Sequence, residues 1–251
     1  MTAQIKNTPA HVLVTGAAKR VGKEVALHFA KNGHNVTVHY GSSQSEAELL
    51  VQQITEGPGA AVSLQADITD STAIDHLIAQ SVEKFGPIDI AVLSASAFKK
   101  TPWETVQEED WDFLMNVNLK SVFLFAKALS GNMNDGGSII TIGDWSGLRP
   151  YKNFLPYTVS KAGVVALTKA LAQELAPTIR VNCVCPGTIL PPDNVSEEII
   201  SNIKANTPLE KIGSPKDLVA AVQFLSESTD FATGTILVLD GGRLIADPGY
   251  G

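Results

Sequence analysis

The chain has 251 residues, of which 44% are hydrophobic and 18% are charged, and its formal net charge is −7. These values predict one folded domain over residues 1–251 rather than a disordered chain. The negative charge argues against a nucleic-acid or anionic-membrane binder. No apolar run is long enough for a membrane span, and the polar N-terminus lacks a signal peptide's apolar stretch. We therefore expect a soluble cytoplasmic protein.

In the first half of the chain, short apolar runs alternate with helical periods. The runs predict strands over residues 11–15, 35–39, 60–65 and 88–94. Between the first two runs, Val21, Val25 and Phe29 recur at helical spacing. Apolar residues at helical spacing also follow the second and third runs, which predicts two more helices. Glycine and proline residues mark where the predicted helices end.

The second half repeats this alternation. It predicts a helix over residues 111–129, a strand over 138–142 and a helix that ends at Pro177. Strands over 179–184 and 235–239 then flank a helix over 215–225. Right-handed crossovers between such strands build a parallel sheet covered on both faces, so we expect a doubly wound α/β fold of the Rossmann type with about seven strands. The irregular, proline-rich stretch 186–213 is predicted to be a substrate lid.

A glycine-containing turn joins the first strand to the first helix. Residues 15–22 read T-G-A-A-K-R-V-G, with Gly16 at the turn and Gly22 where the helix must pack closely on the sheet. The start of a helix offers free N–H groups and partial positive charge to a phosphate. Lys19 and Arg20 oppose the helix dipole there, which favours an anionic ligand over an ordinary turn.

The end of the second predicted strand indicates which dinucleotide the chain prefers. An NAD site places a carboxylate there for the ribose hydroxyls, but residues 39–43 contain no acid. Lys19, Ser42 and Ser43 are suited to a 2′-phosphate, so NADPH is the predicted cofactor. Asp67, just after the third strand, either meets the adenine or caps a helix.

Tyr157 and Lys161 lie four residues apart, which places them on one helical face. A lysine charge beside a phenol is expected to lower the tyrosine pKa from its usual value near 10. Such a tyrosine is suited to give a proton to a substrate while a hydride arrives from a nicotinamide.

Cys183 and Cys185 are separated by one residue in a strand-like run, and we expect their side chains on opposite faces as small apolar fillers. With no further soft ligands nearby in sequence, no metal site is predicted.

Over essentially its whole length the chain resembles the short-chain dehydrogenase/reductases. The phosphate turn, the Tyr157–Lys161 pair, Asn118, the Pro186-Gly187 step and the closing residues 239–242 fall in family order. The resemblance implies that Tyr157 is the proton donor and that Lys161 binds the nicotinamide ribose. It also implies that Asn118 holds a water and that the protein is a homotetramer.

Two departures from the usual family pattern point to a subgroup. Asp144 stands thirteen residues before Tyr157, where the family usually has serine, and Arg20 stands where a small residue is usual. Together with the residues 93–98, L-S-A-S-A-F, these features resemble the pteridine reductases. That resemblance implies Asp144, Tyr157 and Lys161 as the catalytic set. It also implies that Ser96, Phe98 and Arg20 contact the substrate beside Asp144 and Tyr157.

The turn, the end of the second strand and the resemblance together give a set of predicted cofactor contacts. They are Gly16, Lys19, Arg20, Val21, Gly22, Tyr40, Ser42, Ser43, Asp67, Ser94, Lys161, Pro186 and Gly187. The predicted function is NADPH-dependent reduction of a dihydropterin or dihydrofolate, with a small-molecule substrate as the partner. A 3-oxoacyl or other carbonyl reductase is the first alternative, and a non-catalytic NADP-binding regulator is the second.

Overall fold

The computed structural model describes residues 9–191 and 195–246, and within them seven strands form one parallel sheet. The strands are β1 (His11–Thr15), β2 (Asn35–Tyr40), β3 (Ala60–Gln65), β4 (Ile88–Leu93), β5 (Met133–Ile142), β6 (Ile179–Pro186) and β7 (Ile236–Leu239). Their order across the sheet is β3-β2-β1-β4-β5-β6-β7, and each neighbouring pair is parallel. The predicted doubly wound α/β fold is confirmed.

Helices cover both faces of this sheet. They are α1 (Arg20–Lys31), α2 (Gln44–Thr55), α3 (Ser71–Phe85), α4 (Glu108–Met115), α5 (Ser121–Leu129), α6 (Leu155–Glu174), α7 (Glu197–Ala205) and α8 (Pro215–Gln223). Helices α1, α2 and α8 pack on one face, and α3, α5 and α6 pack on the other. Within the two described ranges, no helix is both long and apolar enough to cross a membrane.

The strands are continuous apolar runs because both faces of the sheet are buried. In β1, Val12 and Val14 belong to the apolar cluster that includes α1, whereas Leu13 belongs to the cluster on the opposite face. All three side chains are fully buried. Phe29 is buried in the cluster that includes α1, and Phe125 is buried in the cluster on the opposite face. Burial of each side chain stabilises the fold by about 2 kcal/mol relative to exposure.

The strand order places a crevice at one edge of the sheet. Because β1 lies between β2 and β4, the connections that leave β1 and β4 diverge to opposite sides. Ligands of such sheets bind at this switch point, outside the carboxyl ends of the strands. The segments after β1, β4, β5 and β6 all reach this edge, and they carry most of the predicted site residues.

Two element predictions need correction. The helix predicted over 111–129 is α4, a π-helical turn at Asn116–Lys120, and then α5. The predicted lid 186–213 is not wholly irregular, because it contains α7, whose first turn is capped by the hydroxyl of Ser196 accepting from the Ile199 N–H. A nine-residue helix carries too little apolar periodicity to be read against four nearby prolines. Residues 192–194 of the lid lie outside the described residues.

The expectation for the two cysteines is also wrong in one respect. Cys183 Sγ and Cys185 Sγ lie 3.6 Å apart on the same face of β6, both fully buried. Side chains alternate along a strand with a period of two, so residues two apart share a face. Both thiols pack with the α6 layer, consistent with small fillers.

Candidate active site

A cavity of about 1600 Å³ opens at the carboxyl ends of the strands. This volume exceeds the roughly 300–1,000 Å³ of a typical small-ligand site, so it has room for a dinucleotide and a second molecule. Most of the predicted contacts line it: Gly16, Lys19, Arg20, Val21, Gly22, Ser42, Ser43, Asp67, Ser94, Ser96, Phe98, Asp144, Tyr157, Lys161, Pro186 and Gly187. Tyr40 and Asn118 are the predicted residues that do not line it.

The side chain of Tyr40, one of the predicted cofactor contacts, lies outside the cavity. It is buried among the apolar residues of the α1 and α2 layer. Because successive residues of a strand point to opposite faces, the neighbours His39 and Gly41 line the cavity in its place.

Two glycines let the turn after β1 and the start of α1 pack closely against each other. Gly16 has φ +63°, a left-handed conformation that favours glycine. A Cβ on Gly22 would lie 2.5 Å from the carbonyl oxygen of Gly16, so only glycine lets α1 start this close to the turn. The first turn of α1 carries no acid, which leaves its positive dipole end available to an anion.

His39 holds this turn from the neighbouring strand. Its Nδ1 accepts from the Gly16 N–H at 3.0 Å, and its Nε2 donates to the Ala66 carbonyl at 3.2 Å. Both bonds together require a neutral imidazole with its proton on Nε2. Burial lowers the pKa of His39, which keeps it in that state. Nothing in the sequence pattern singled this residue out.

The two cations of the turn point in different directions. Lys19 Nζ is 2.7 Å from a Glu46 carboxylate oxygen, and both side chains are about half exposed. An exposed pair of this kind is weak and easily exchanged for another anion. Arg20 instead donates through Nη2 to the carbonyl of Leu190, which ties the phosphate turn to the start of the predicted lid.

Asp67 both faces the cavity and organises its own loop. Its Oδ1 accepts from the Thr69 N–H at 2.8 Å and from the Thr69 hydroxyl at 2.7 Å. These hydrogen bonds lower the pKa of Asp67. The cap of α3 is Asp70, whose side chain accepts from the Thr72 N–H. Asp67 is therefore not the N-cap of α3.

The predicted catalytic groups meet at the carboxyl end of β5. The Tyr157 hydroxyl donates to Asp144 Oδ2 at 3.0 Å, and Asp144 Oδ1 accepts from the Ser146 N–H at 2.8 Å. Lys161 Nζ donates to the Ile142 carbonyl at 2.9 Å and lies 5.9 Å from the Tyr157 ring centroid. The carboxylate is thus oriented by its own backbone turn and aimed at the phenol.

The electrostatics of this cluster differ from the sequence prediction. The pKa of Tyr157 is raised, first by burial and then by the negative charge of Asp144. The pKa of Lys161 is lowered by burial. The expected lowering of the tyrosine pKa is wrong for this arrangement, because the Asp144 carboxylate contacts the hydroxyl and the lysine ammonium does not. Tyr157 is therefore held in its protonated form.

The side-chain amide of Asn118 is fully engaged with neighbouring protein groups. It is buried in the π-helical turn, and its Oδ1 accepts from the Ala97 N–H and the Ser96 hydroxyl. Its Nδ2 donates to the Ala97 carbonyl and to Ser160 Oγ. The amide thus has no free position for a water. Through these bonds Asn118 connects the segment after β4 to α6.

An aromatic wall leads away from the proton donor. The Phe98 ring is 60% exposed and lies edge-on to Tyr157 with a centroid separation of 4.8 Å. It stacks on Phe154 at 4.7 Å, and Phe154 contacts Tyr151, which stacks on Trp145. Tyr151 and Phe154 were not predicted as site residues, since both precede α6 and only the tertiary fold brings their rings to the cavity.

The chain is similar to proteins of one family over nearly all its length. Residues 16–243 match the protein family described as Enoyl-(Acyl carrier protein) reductase. A 3beta-hydroxysteroid dehydrogenase 1 of Eggerthella lenta is 34% identical over 95% of both chains. A 3-oxoacyl-[acyl-carrier-protein] reductase of Synechocystis sp. is 33% identical over 98% of both chains.

Solved structures share the architecture. A short-chain dehydrogenase/reductase from Serratia marcescens is 30% identical, with a TM-score of 0.89 over 94% of this chain and 98% of its own. A blue fluorescent protein from a metagenomic library, solved in complex with NADPH, is 28% identical, with a TM-score of 0.87 over 93% of this chain and 97% of its own.

Proposed function

Because the chain belongs to the short-chain dehydrogenase/reductase family and is an oxidoreductase of that family, we propose that it is an NADPH-dependent reductase of a pterin, a dihydropterin or dihydrofolate. The observation that carries this proposal is the hydrogen bond from the Tyr157 hydroxyl to the Asp144 carboxylate. It puts a negative charge beside the proton donor.

The sign of that charge favours one class of substrate. Reduction of a ketone places negative charge on oxygen as the hydride arrives, and a neighbouring carboxylate opposes it. Reduction of a C=N bond proceeds through a protonated, positively charged nitrogen, and the same carboxylate stabilises it. Asp144 therefore supports an imine-like ring nitrogen over a carbonyl oxygen.

The aromatic wall supports a flat substrate. An exposed phenylalanine on a cavity floor offers a face for offset stacking with an aromatic bicycle. Phe98 stands directly against Tyr157, so a ring resting on Phe98 lies within reach of the phenol. The Ser96 hydroxyl donates to Asn118, which leaves its oxygen free to accept from an N–H at the ring edge.

The residues at the phosphate turn fit a dinucleotide. A Cβ at Gly16 would lie 2.9 Å from Ala95 Cα, and a side chain at Gly22 would fill the space against the turn. The exposed Lys19–Glu46 pair is the point where a 2′-phosphate would replace the glutamate as the partner of Lys19. This supports NADPH over NADH.

When bound, the nicotinamide supplies the hydride. Tyr157 gives its proton to the substrate nitrogen, and its raised pKa keeps the phenol protonated beforehand. Asp144 orients the hydroxyl and balances the positive charge that develops on the substrate. Lys161 is buried, donates to the Ile142 carbonyl and holds its Nζ 5.9 Å from the centroid of the Tyr157 ring.

A second candidate is a carbonyl reductase such as a 3-oxoacyl reductase. The Synechocystis relative is named for that activity, and its match spans 98% of this chain. The discriminating residue is Asp144, because a serine hydroxyl at that position stabilises a carbonyl oxygen without adding a charge.

The assembly is also a proposal. We propose a homotetramer formed through α5 and α6, since Phe123 on α5 is 49% exposed and Val159 on α6 is 39% exposed. Exposed apolar side chains of this size are typical of interfaces. Light scattering after size-exclusion chromatography tests it: four times the 26.6 kDa chain mass supports it, and a monomer contradicts it.

The function is tested by NADPH oxidation with a matched panel. Dihydrobiopterin, dihydrofolate and acetoacetyl thioesters are offered to the purified protein, with NADH in parallel. Turnover of a dihydropterin or dihydrofolate with NADPH at least tenfold above NADH supports the proposal. No pterin turnover together with rapid thioester turnover overturns it in favour of the second candidate.

A further inference from the structure

A second cavity of about 480 Å³ adjoins the first and shares Trp145 and Tyr151 with it. Two arginines line this second cavity, Arg149 and Arg243, although the whole sequence contains only four arginines. They come from distant parts of the chain, one after β5 and the other after β7. The fold therefore brings half of its guanidinium groups to one small space beside the active site.

Each guanidinium is held in place but keeps donors to spare. Arg149 Nη1 donates to the carbonyls of Arg243 at 2.8 Å and Ala246 at 3.2 Å. Arg243 Nη1 donates to Thr188 Oγ1 at 3.4 Å, and its guanidinium carbon lies 4.6 Å from the Trp145 ring centroid. Across residues 9–191 and 195–246, neither arginine forms an ion pair with a carboxylate. A guanidinium carries five N–H donors, so both have donors left for a ligand.

The aromatic wall runs from the proton donor in the first cavity to the arginines of the second cavity. From Tyr157 it runs through Phe98, Phe154 and Tyr151 to Trp145, with centroid separations of 4.7 to 5.6 Å, and Arg243 closes it. A substrate that follows the wall meets the proton donor at one end and the guanidinium groups at the other. The middle of such a substrate is best matched by an aromatic ring.

We propose that the second cavity is an anion subsite that binds the distal carboxylate of the substrate. Resting on the proposed function, this names the substrate as a pterin with a charged aromatic tail, of the dihydrofolate type, rather than a small dihydropterin. Planar guanidinium groups bind carboxylates through paired N–H donors, which is the recognition that Arg149 and Arg243 offer. The same donors suit a phosphate, such as that of a pantetheine arm, and the test separates the two sources.

The test compares substrates with and without the tail in the Arg243→Leu variant. We expect the KM for dihydrofolate to rise about tenfold, equivalent to about 1.4 kcal/mol of binding, with kcat unchanged. The KM for dihydrobiopterin should stay within twofold, and Arg243→Lys should recover part of the loss. Lys216→Leu removes an exposed cation on α8 and serves as the matched control, with no expected change. Equal effects of Arg243→Leu on both substrates would overturn the proposal.

A binding measurement makes the result independent of turnover. The probe is 4-aminobenzoyl-glutamate, and its binding is followed by isothermal titration calorimetry. Saturable binding that Arg243→Leu weakens supports the subsite even if no pterin is reduced, in which case only the proposed function fails. Absence of binding, or equal binding by the variant, overturns the subsite while leaving the proposed function intact.

A separate comparison tests whether the second cavity binds a phosphate rather than a carboxylate. If Arg243→Leu raises the KM for acetoacetyl-CoA but leaves the KM for a truncated acetoacetyl thioester unchanged, the anion bound in the second cavity is a phosphate. That outcome overturns the carboxylate assignment, while the NADPH-oxidation panel decides separately whether a pterin is a substrate.

Discussion

Replacement of Asp144 by asparagine removes one charge while preserving the size and shape of the side chain. In the protein, Asp144 Oδ2 accepts from the Tyr157 hydroxyl at 3.0 Å, and Oδ1 is fixed by the Ser146 N–H. The amide oxygen of asparagine can still accept one of these bonds. What disappears is the negative charge beside the substrate nitrogen.

The size of the effect follows from that charge. Two unit charges about 4 Å apart interact with about 4 kcal/mol at the effective dielectric typical of a protein site. Since Asp144 is half-buried, we expect about 2–4 kcal/mol of transition-state stabilisation to be lost, or about 30- to 1000-fold in kcat for dihydrofolate. The pKa of Tyr157 should also fall, because the Asp144 charge is its second largest cause of elevation.

Two assays check this prediction. Stopped-flow NADPH oxidation at saturating substrate gives kcat, and a titration of tyrosine absorbance compared with that of Tyr157→Phe isolates this phenol among the four tyrosines. NADPH affinity should remain within twofold, since Asp144 is placed at the substrate side. Asp75→Asn, an exposed acid on α3, is the matched control. A variant that keeps dihydrofolate turnover within threefold of the parent would refute the proposed role of the carboxylate.

Three further predictions concern the proton donor, the cofactor and acid stability. Tyr157→Phe should abolish reduction while NADPH binding, measured by fluorescence, stays nearly intact; full activity would show that another group donates the proton. Lys19→Ala should weaken NADPH about tenfold and leave NADH nearly unchanged, because only the 2′-phosphate needs this cation; equal losses would contradict the preference. Burial lowers the pKa of His11 and His39, so the unfolded chain binds more protons below pH 6.5 and stability should fall there. Urea unfolding at pH 7 and 5.5 should show a decrease approaching about 1.4 kcal/mol per pH unit for each histidine, whereas equal stability would contradict it.

Much of the fold was predictable because parallel strands buried on both faces are continuous apolar runs. The bounds of β1 and β3 match the prediction, since both runs are sharply limited by turn residues. The π-helical turn at Asn116–Lys120 was not predictable, because it preserves the apolar periodicity on either side. Within this turn the Asn118 side chain makes four hydrogen bonds to the segment after β4 and to α6, which are contacts that local sequence does not reveal.

The candidate site was predictable where local spacing carries the chemistry and not where distant segments meet. Tyr157 and Lys161 share one helical turn, Gly16 lies in the turn that leads into α1, and Gly22 lies in the first turn of that helix, so local spacing in the sequence indicated both pairs. Arg243, in contrast, reaches the site only because β7 lies beside β6 at the edge of the sheet. The direction of the Tyr157 pKa shift likewise depended on which charge contacts the hydroxyl, which no spacing reveals.

A crystal structure of the protein with NADP+ and dihydrofolate tests the central claim most directly. We expect the pterin ring to lie against Phe98, with a ring nitrogen within hydrogen-bond distance of the Tyr157 hydroxyl or the Asp144 carboxylate. A pterin bound elsewhere, or an Asp144 side chain turned away from the ring, would contradict the account.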